Sequence, residues 1–123
     1  MKSEAWKKRI KAACEAIGTY EPAYDDVIGT LADVLEKRDE CDRLYKEDGS
    51  QPVTEHTNKG GGVYMERNPI LRTWMELNTQ ALAYWRDLGL TPAGYKKLSD
   101  GIIVKAPKKS GLELALERLS AAQ

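Results

Sequence analysis

Two short phrases constrain this chain more than any others: Asn68-Pro69 and, about twenty residues later, Leu88-Gly89-Leu90-Thr91-Pro92, because each marks a helix boundary. An asparagine at the N-cap accepts a hydrogen bond from a free backbone N–H, and proline suits the first helical position, where no N–H is required. Gly89 can adopt the left-handed conformation that ends a helix. Thr91-Pro92 repeats the start signal at once. The sequence therefore predicts a helix from Pro69 to Leu88, a two-residue corner, and a short new helix from Pro92 to about Ser99.

Periodicity extends this reading along the chain. Trp6, Ile10, Ala13, Cys14 and Ile17 recur at helical spacing between Ser3, read as an N-cap, and Gly18, read as a stop. A second helix begins near Pro22 and runs to about Asp48-Gly49. It carries Tyr24, Val27, Ile28, Leu31, Val34, Leu35, Cys41, Leu44 and Tyr45 in a three-four rhythm. At roughly 25 residues and ~1.5 Å per residue it would be about 38 Å long, which invites packing against another long helix or another subunit. The third helix, Pro69 to Leu88, supplies Ile70, Leu71, Trp74, Leu77, Ala81, Leu82, Trp85 and Leu88. Between these two helices, residues 51–57 and 63–66 read as short strands, and Asn58-Lys59-Gly60-Gly61-Gly62 as the turn joining them. The expected fold is mainly α: a central antiparallel long-helix hairpin with a short β-hairpin between its two helices. Apolar surface left over on those helices, with Tyr45 and Trp74 as the candidates, predicts lateral assembly into a ring. Residues 1–100 read as the helical core and oligomerisation domain. Residues 101–123 read as a C-terminal extension: an extended Gly101–Lys105, a linker with Lys108-Lys109, and a last helix opened by a capping box, Ser110 to Glu113.

Several function classes find no support. His56 is the sole histidine and lacks the partners of a catalytic triad. Cys14, Cys41 and His56 match no metal-binding spacing, and the cysteines read as buried thiols in a reducing compartment. The pairs Asp25-Asp26 and Asp39-Glu40 are sequence neighbours that point apart on a helix. In the glycine cluster the lysine precedes the glycines and a strand follows, the reverse of a phosphate-binding loop. No catalytic residue, metal or cofactor is expected, and neither a signal peptide nor a membrane span is read.

Net charge is zero, but its distribution is uneven. Residues 1–11 hold Lys2, Lys7, Lys8, Arg9 and Lys11 against Glu4. Residues 86–111 hold Arg86, Lys96, Lys97, Lys105, Lys108 and Lys109 against Asp87 and Asp100. Residues 21–48 are predominantly acidic. Two basic ends around an acidic middle suit a protein that touches an anion in one place and avoids it elsewhere.

From Tyr64 to Leu98 the chain resembles the small terminase subunits of tailed bacteriophages and prophages. The resembling residues are Asn68-Pro69-Ile70-Leu71, Leu77-Asn78, Ala81-Leu82, Leu88-Gly89-Leu90-Thr91-Pro92 and Leu98. Members often carry a serine and an arginine soon after Thr-Pro. This chain has Ala93-Gly94-Tyr95-Lys96-Lys97, so only the positive charge is kept. The resemblance implies a non-enzymatic packaging factor acting in the host bacterial cytoplasm. Such a factor forms rings, holds viral double-stranded DNA, and recruits and regulates the large terminase subunit, the ATPase and nuclease. The densest basic clusters on predicted helices, Lys7, Lys8, Arg9, Lys11, Lys96 and Lys97, become the candidate DNA contacts, with the N-terminal pair slightly favoured. The acidic second helix is expected to face away from DNA. Leu112, Leu116 and Leu119 form the apolar face expected to dock on the large subunit. The competing reading is a helical oligomeric scaffold module without nucleic-acid binding, which zero net charge favours.

Overall fold

The computed structural model describes residues 1–100 together with Leu116 and Leu119. The expected strand-like Gly101–Lys105, the basic linker, the capping box and Leu112 lie outside the described residues. The element order is α1 (Ser3–Ile17), a 3-10 turn (Pro22–Tyr24), α2 (Asp25–Glu47), β1 (Val53–Thr57), β2 (Val63–Arg67), α3 (Pro69–Asp87) and α4 (Pro92–Asp100). The chain is mainly helical, with one two-stranded antiparallel sheet among the described residues.

The helix ends follow local chemistry. At the end of α3 the Leu90 N–H donates to the Trp85 carbonyl at 2.8 Å and the Gly89 N–H to that of Arg86 at 2.9 Å. These are the two bonds of a Schellman ending, and Gly89 carries the positive φ of 76° that it requires. An alanine Cβ at Gly89 would also lie 2.8 Å from Leu98 Cδ1 and 3.0 Å from Thr19 Cγ2, so the corner is tight as well as left-handed. Thr91 then caps α4, its hydroxyl accepting from the Gly94 N–H at 3.0 Å. Ser3 is a correction. It is the first helical residue of α1, and the cap position, Lys2, makes no side-chain cap bond. The Ser3 hydroxyl instead donates to Asp33 at 2.6 Å, and its amide to Glu36, tying the start of α1 to α2.

Asn68 joins the sheet to α3. It is 2% exposed. Its side-chain oxygen accepts from the Ile70 N–H at 3.0 Å, its amide nitrogen donates to the Gln51 carbonyl at 2.9 Å, and its backbone N–H donates to Pro52 at 2.9 Å. One residue thus caps α3 and holds both ends of the hairpin together. Asn68→Ala should cost about 2 kcal/mol, combining a lost cap with a lost, partly buried hydrogen bond to the Gln51 carbonyl. The urea midpoint of the variant against the parent checks this, and an unchanged midpoint would contradict it.

The core is formed by Ile10 and Cys14 of α1, Ile28, Leu31, Ala32 and Leu35 of α2, and Ala81 with Leu88 at α3. Trp6, Tyr20, Tyr24, Val27, Val34, Tyr84, Trp85 and Leu90 close over it. The α2–α3 pair packs most extensively, with α1 on α2 next. Trp6 locks the three helices together. Its ring meets Trp85 edge-on at 6.4 Å, and its Nε1 donates to Asp39 at 2.8 Å. The guanidiniums of Arg9 and Arg38 lie over it at 5.4 and 5.6 Å. Burial opposes ionisation of Asp39, but hydrogen bonds from the chain amino group, Trp6 and Arg38 outweigh it and hold the carboxyl below its ordinary range.

Parts of the apolar periodicity face solvent. Leu44 of α2 and Leu82 of α3, both placed on buried stripes by sequence, are exposed, as is Met75. Tyr45 and Trp74, expected to form the residual stripe, are half-buried. Met75 and Leu82 lie two turns apart and so share a face of α3.

Candidate nucleic-acid interface

The basic residues of α1 are less free than their sequence density suggests. Lys7 is half-buried and pairs with Glu4 at 3.1 Å. The hydrogen bond and charge of Glu4 raise its pKa. Its Cε lies 3.5 Å from where a Cβ on Gly29 would stand, so its stem runs along α2. The Lys11 ammonium sits 5.0 Å over the Tyr20 ring, whose hydroxyl donates to Asp25. Arg9 is exposed but rests on Trp6. Lys8 is exposed and, among the described residues, forms no ion pair. Lys7, Lys8 and Lys11 line one shallow pocket of about 160 Å³ together with Asp25 and Ile28.

The basic ends and the acidic middle, separate in sequence, are therefore interleaved in space. Asp25, in the first turn of α2, stands beside three of the α1 cations. Packing α1 along α2 places Asp25 among these cations and lowers the net positive charge of that face.

Helix α4 differs. Lys96 and Lys97 are exposed, and among the described residues neither forms an ion pair. Lys97 lines a cleft of about 380 Å³ with Arg86, Asp87, Ala93, Gly94 and Leu98. Sequence reasoning counted Arg86 only toward regional charge. The corner at Gly89 folds α4 back on the end of α3 and brings Arg86 to Lys97. The signal was the corner itself, since a chain that turns back within two residues juxtaposes what flanks the turn. Gly94 permits the approach: a Cβ there would stand 2.1 Å from the Arg86 carbonyl oxygen. On the other side of α4, Ala16 and Ile17 of α1 meet Leu90, Thr91, Pro92 and Tyr95 in a second, mainly apolar groove. The α4 cations are thus held on a helix packed against the end of α3.

This arrangement presents exposed positive charge at one end of the helical core. Among the described residues no group of three or more histidine, cysteine or acidic side chains is placed to hold a metal ion. No helix of the described residues is long and apolar enough to cross a membrane. Of the residues expected to dock a partner, Leu116 and Leu119 are helical and exposed.

A family model described as phage terminase, small subunit, matches residues 3–101, which span α1 to α4. No curated protein and no solved structure matches the chain significantly.

Proposed function

The chain belongs to the phage terminase small-subunit family, and on that premise we propose that it is a ring-forming, non-catalytic factor of viral genome packaging. In this reading it binds viral double-stranded DNA and recruits and regulates the large terminase subunit in the host bacterial cytoplasm. The observation that carries the reading is the family match, because it runs from α1 through α4 rather than over one motif. Residues 1–100 serve as the core and oligomerisation domain, with α2 and α3 as an antiparallel pair in the ring wall. Residues 101–123 form the extension that meets the large subunit.

Lys96, Lys97 and Arg86 supply the main phosphate contacts, with Lys8 and Arg9 next and Lys7 and Lys11 in support. Their support is chemical: exposed cations on packed helices bind phosphate with little sequence information. Zero net charge is compatible with this role, because a ring repeats each weak patch and the contacts add through multivalency. The same zero charge favours the competing scaffold reading, in which the oligomer binds no nucleic acid.

Leu112, Leu116 and Leu119 provide the docking face for the large subunit. Truncation after Lys105 should leave the assembly mass in register with the shorter chain and weaken stimulation of the large subunit's ATPase. Stimulation equal to that of the full chain would contradict this assignment.

A further inference from the structure

The β1–β2 hairpin presents its apolar face to water. Directly paired residues of two strands share a face of the sheet. Val53↔Arg67, Glu55↔Met65 and Thr57↔Val63 therefore lie on one face, and Thr54↔Glu66 and His56↔Tyr64 on the other. The second face holds the polar contacts. His56 stacks on Tyr64 and meets Glu66 at 3.1 Å, and Glu66 reaches Arg72 of α3 at 3.5 Å. All six residues of the first face are exposed, Val63 at 61% and Met65 at 65%. A two-stranded hairpin is marginal in water by itself, and apolar side chains left in solvent contribute nothing to holding it.

We infer that this face is an interface between copies of this chain. Val53, Val63 and Met65 of one hairpin pack on the hairpin of a neighbour, and Glu55 of one copy pairs with Arg67 of the next. Charge selects a second copy over any other partner. Glu55 and Arg67 stand on opposite strands beside the apolar side chains, and among the described residues neither has an ion-pair partner. Val53 and Glu55 lie on β1, and Val63, Met65 and Arg67 on β2, so the acidic β1 side of one hairpin meets the basic β2 side of the next. The two sides are different surfaces, and such a head-to-tail contact repeats from copy to copy around a ring. The inference rests on the ring assembly proposed above and gives it a surface.

Charge reversal in the full chain tests it. Glu55→Arg and Arg67→Glu each set like charges against each other across the contact, which opposes association. Each alone should raise the dissociation concentration of the assembly at least about tenfold by light scattering. An equimolar mixture of the two should restore assembly, because the new arginine of one copy faces the new glutamate of the other. A pair within a single hairpin would be broken in both variants and would not recover on mixing. Met65→Ser should weaken assembly without any charge change. In the parent, hydrogen exchange should show the amides of residues 53–67 protected when assembled and released on dilution. A parent chain that stays a monomer removes the ring reading and this inference with it. If the parent assembles, then single variants that assemble as tightly, a mixture that fails to recover, or exchange at residues 53–67 insensitive to dilution overturns the hairpin assignment alone.

Discussion

Gly94→Ala is expected to lower the stability of this chain by about 3 kcal/mol, the upper part of the range for overpacking. Helix propensity alone argues the other way: alanine is favoured over glycine inside a helix by about 1 kcal/mol. Geometry decides the sign. The added Cβ would stand 2.1 Å from the Arg86 carbonyl oxygen, 2.9 Å from the Arg86 carbonyl carbon and 3.0 Å from its Cα. These are backbone atoms at the end of α3, so no side-chain rotation relieves the clash, and α4 must move off α3. The variant should show an earlier urea midpoint at fixed protein concentration. It should also lose DNA affinity, because Lys97 leaves the cleft it shares with Arg86. A midpoint equal to or above that of the parent would show that α4 does not pack as described.

The second large effect is electrostatic. Lys96→Glu with Lys97→Glu should reduce the salt slope of duplex binding by about 2 for each copy that touches DNA, since each neutralised phosphate adds ~0.9. Lys7→Glu with Lys8→Glu should do less. Sequence alone ranked the N-terminal pair slightly higher, because consecutive basic residues place charge on several sides of a helix. We propose the opposite order, because Lys7 is paired with Glu4 whereas Lys96 and Lys97 are exposed without ion-pair partners among the described residues. Both double variants should retain the parent's assembly mass. If both bind DNA as tightly as the parent at low salt, none of these helices carries the interface.

The contrast shows what the sequence made legible. Helix boundaries were readable wherever one residue type satisfies one backbone need, as at Asn68, Gly89 and Thr91. The strand pair was readable because a glycine-rich turn sits between two β-prone runs, and Asn58 closes that turn by accepting from the Gly60 and Gly62 amides. Ser3 was misread because a serine at a helix start has two uses, and a carboxylate thirty residues away claimed its hydroxyl. Which apolar residues stay exposed was not legible either. Leu82 follows buried Ala81 directly, so it sits about 100° round the helix at the edge of the apolar stripe and faces water. The charge pattern was real but incomplete. Sequence density cannot show that Asp25 lies beside Lys11 or that Arg86 lies beside Lys97, since both follow from how helices pack.

The most direct test of the central claim, a packaging factor that works by holding DNA, is the affinity of the full chain for duplex viral DNA measured from 50 to 200 mM salt. The account predicts measurable binding at the low end, with the logarithm of affinity falling linearly against the logarithm of salt by several-fold to orders of magnitude, as counterion release requires. No binding at the lowest salt, or binding indifferent to salt, would contradict it and leave the helical scaffold reading in its place.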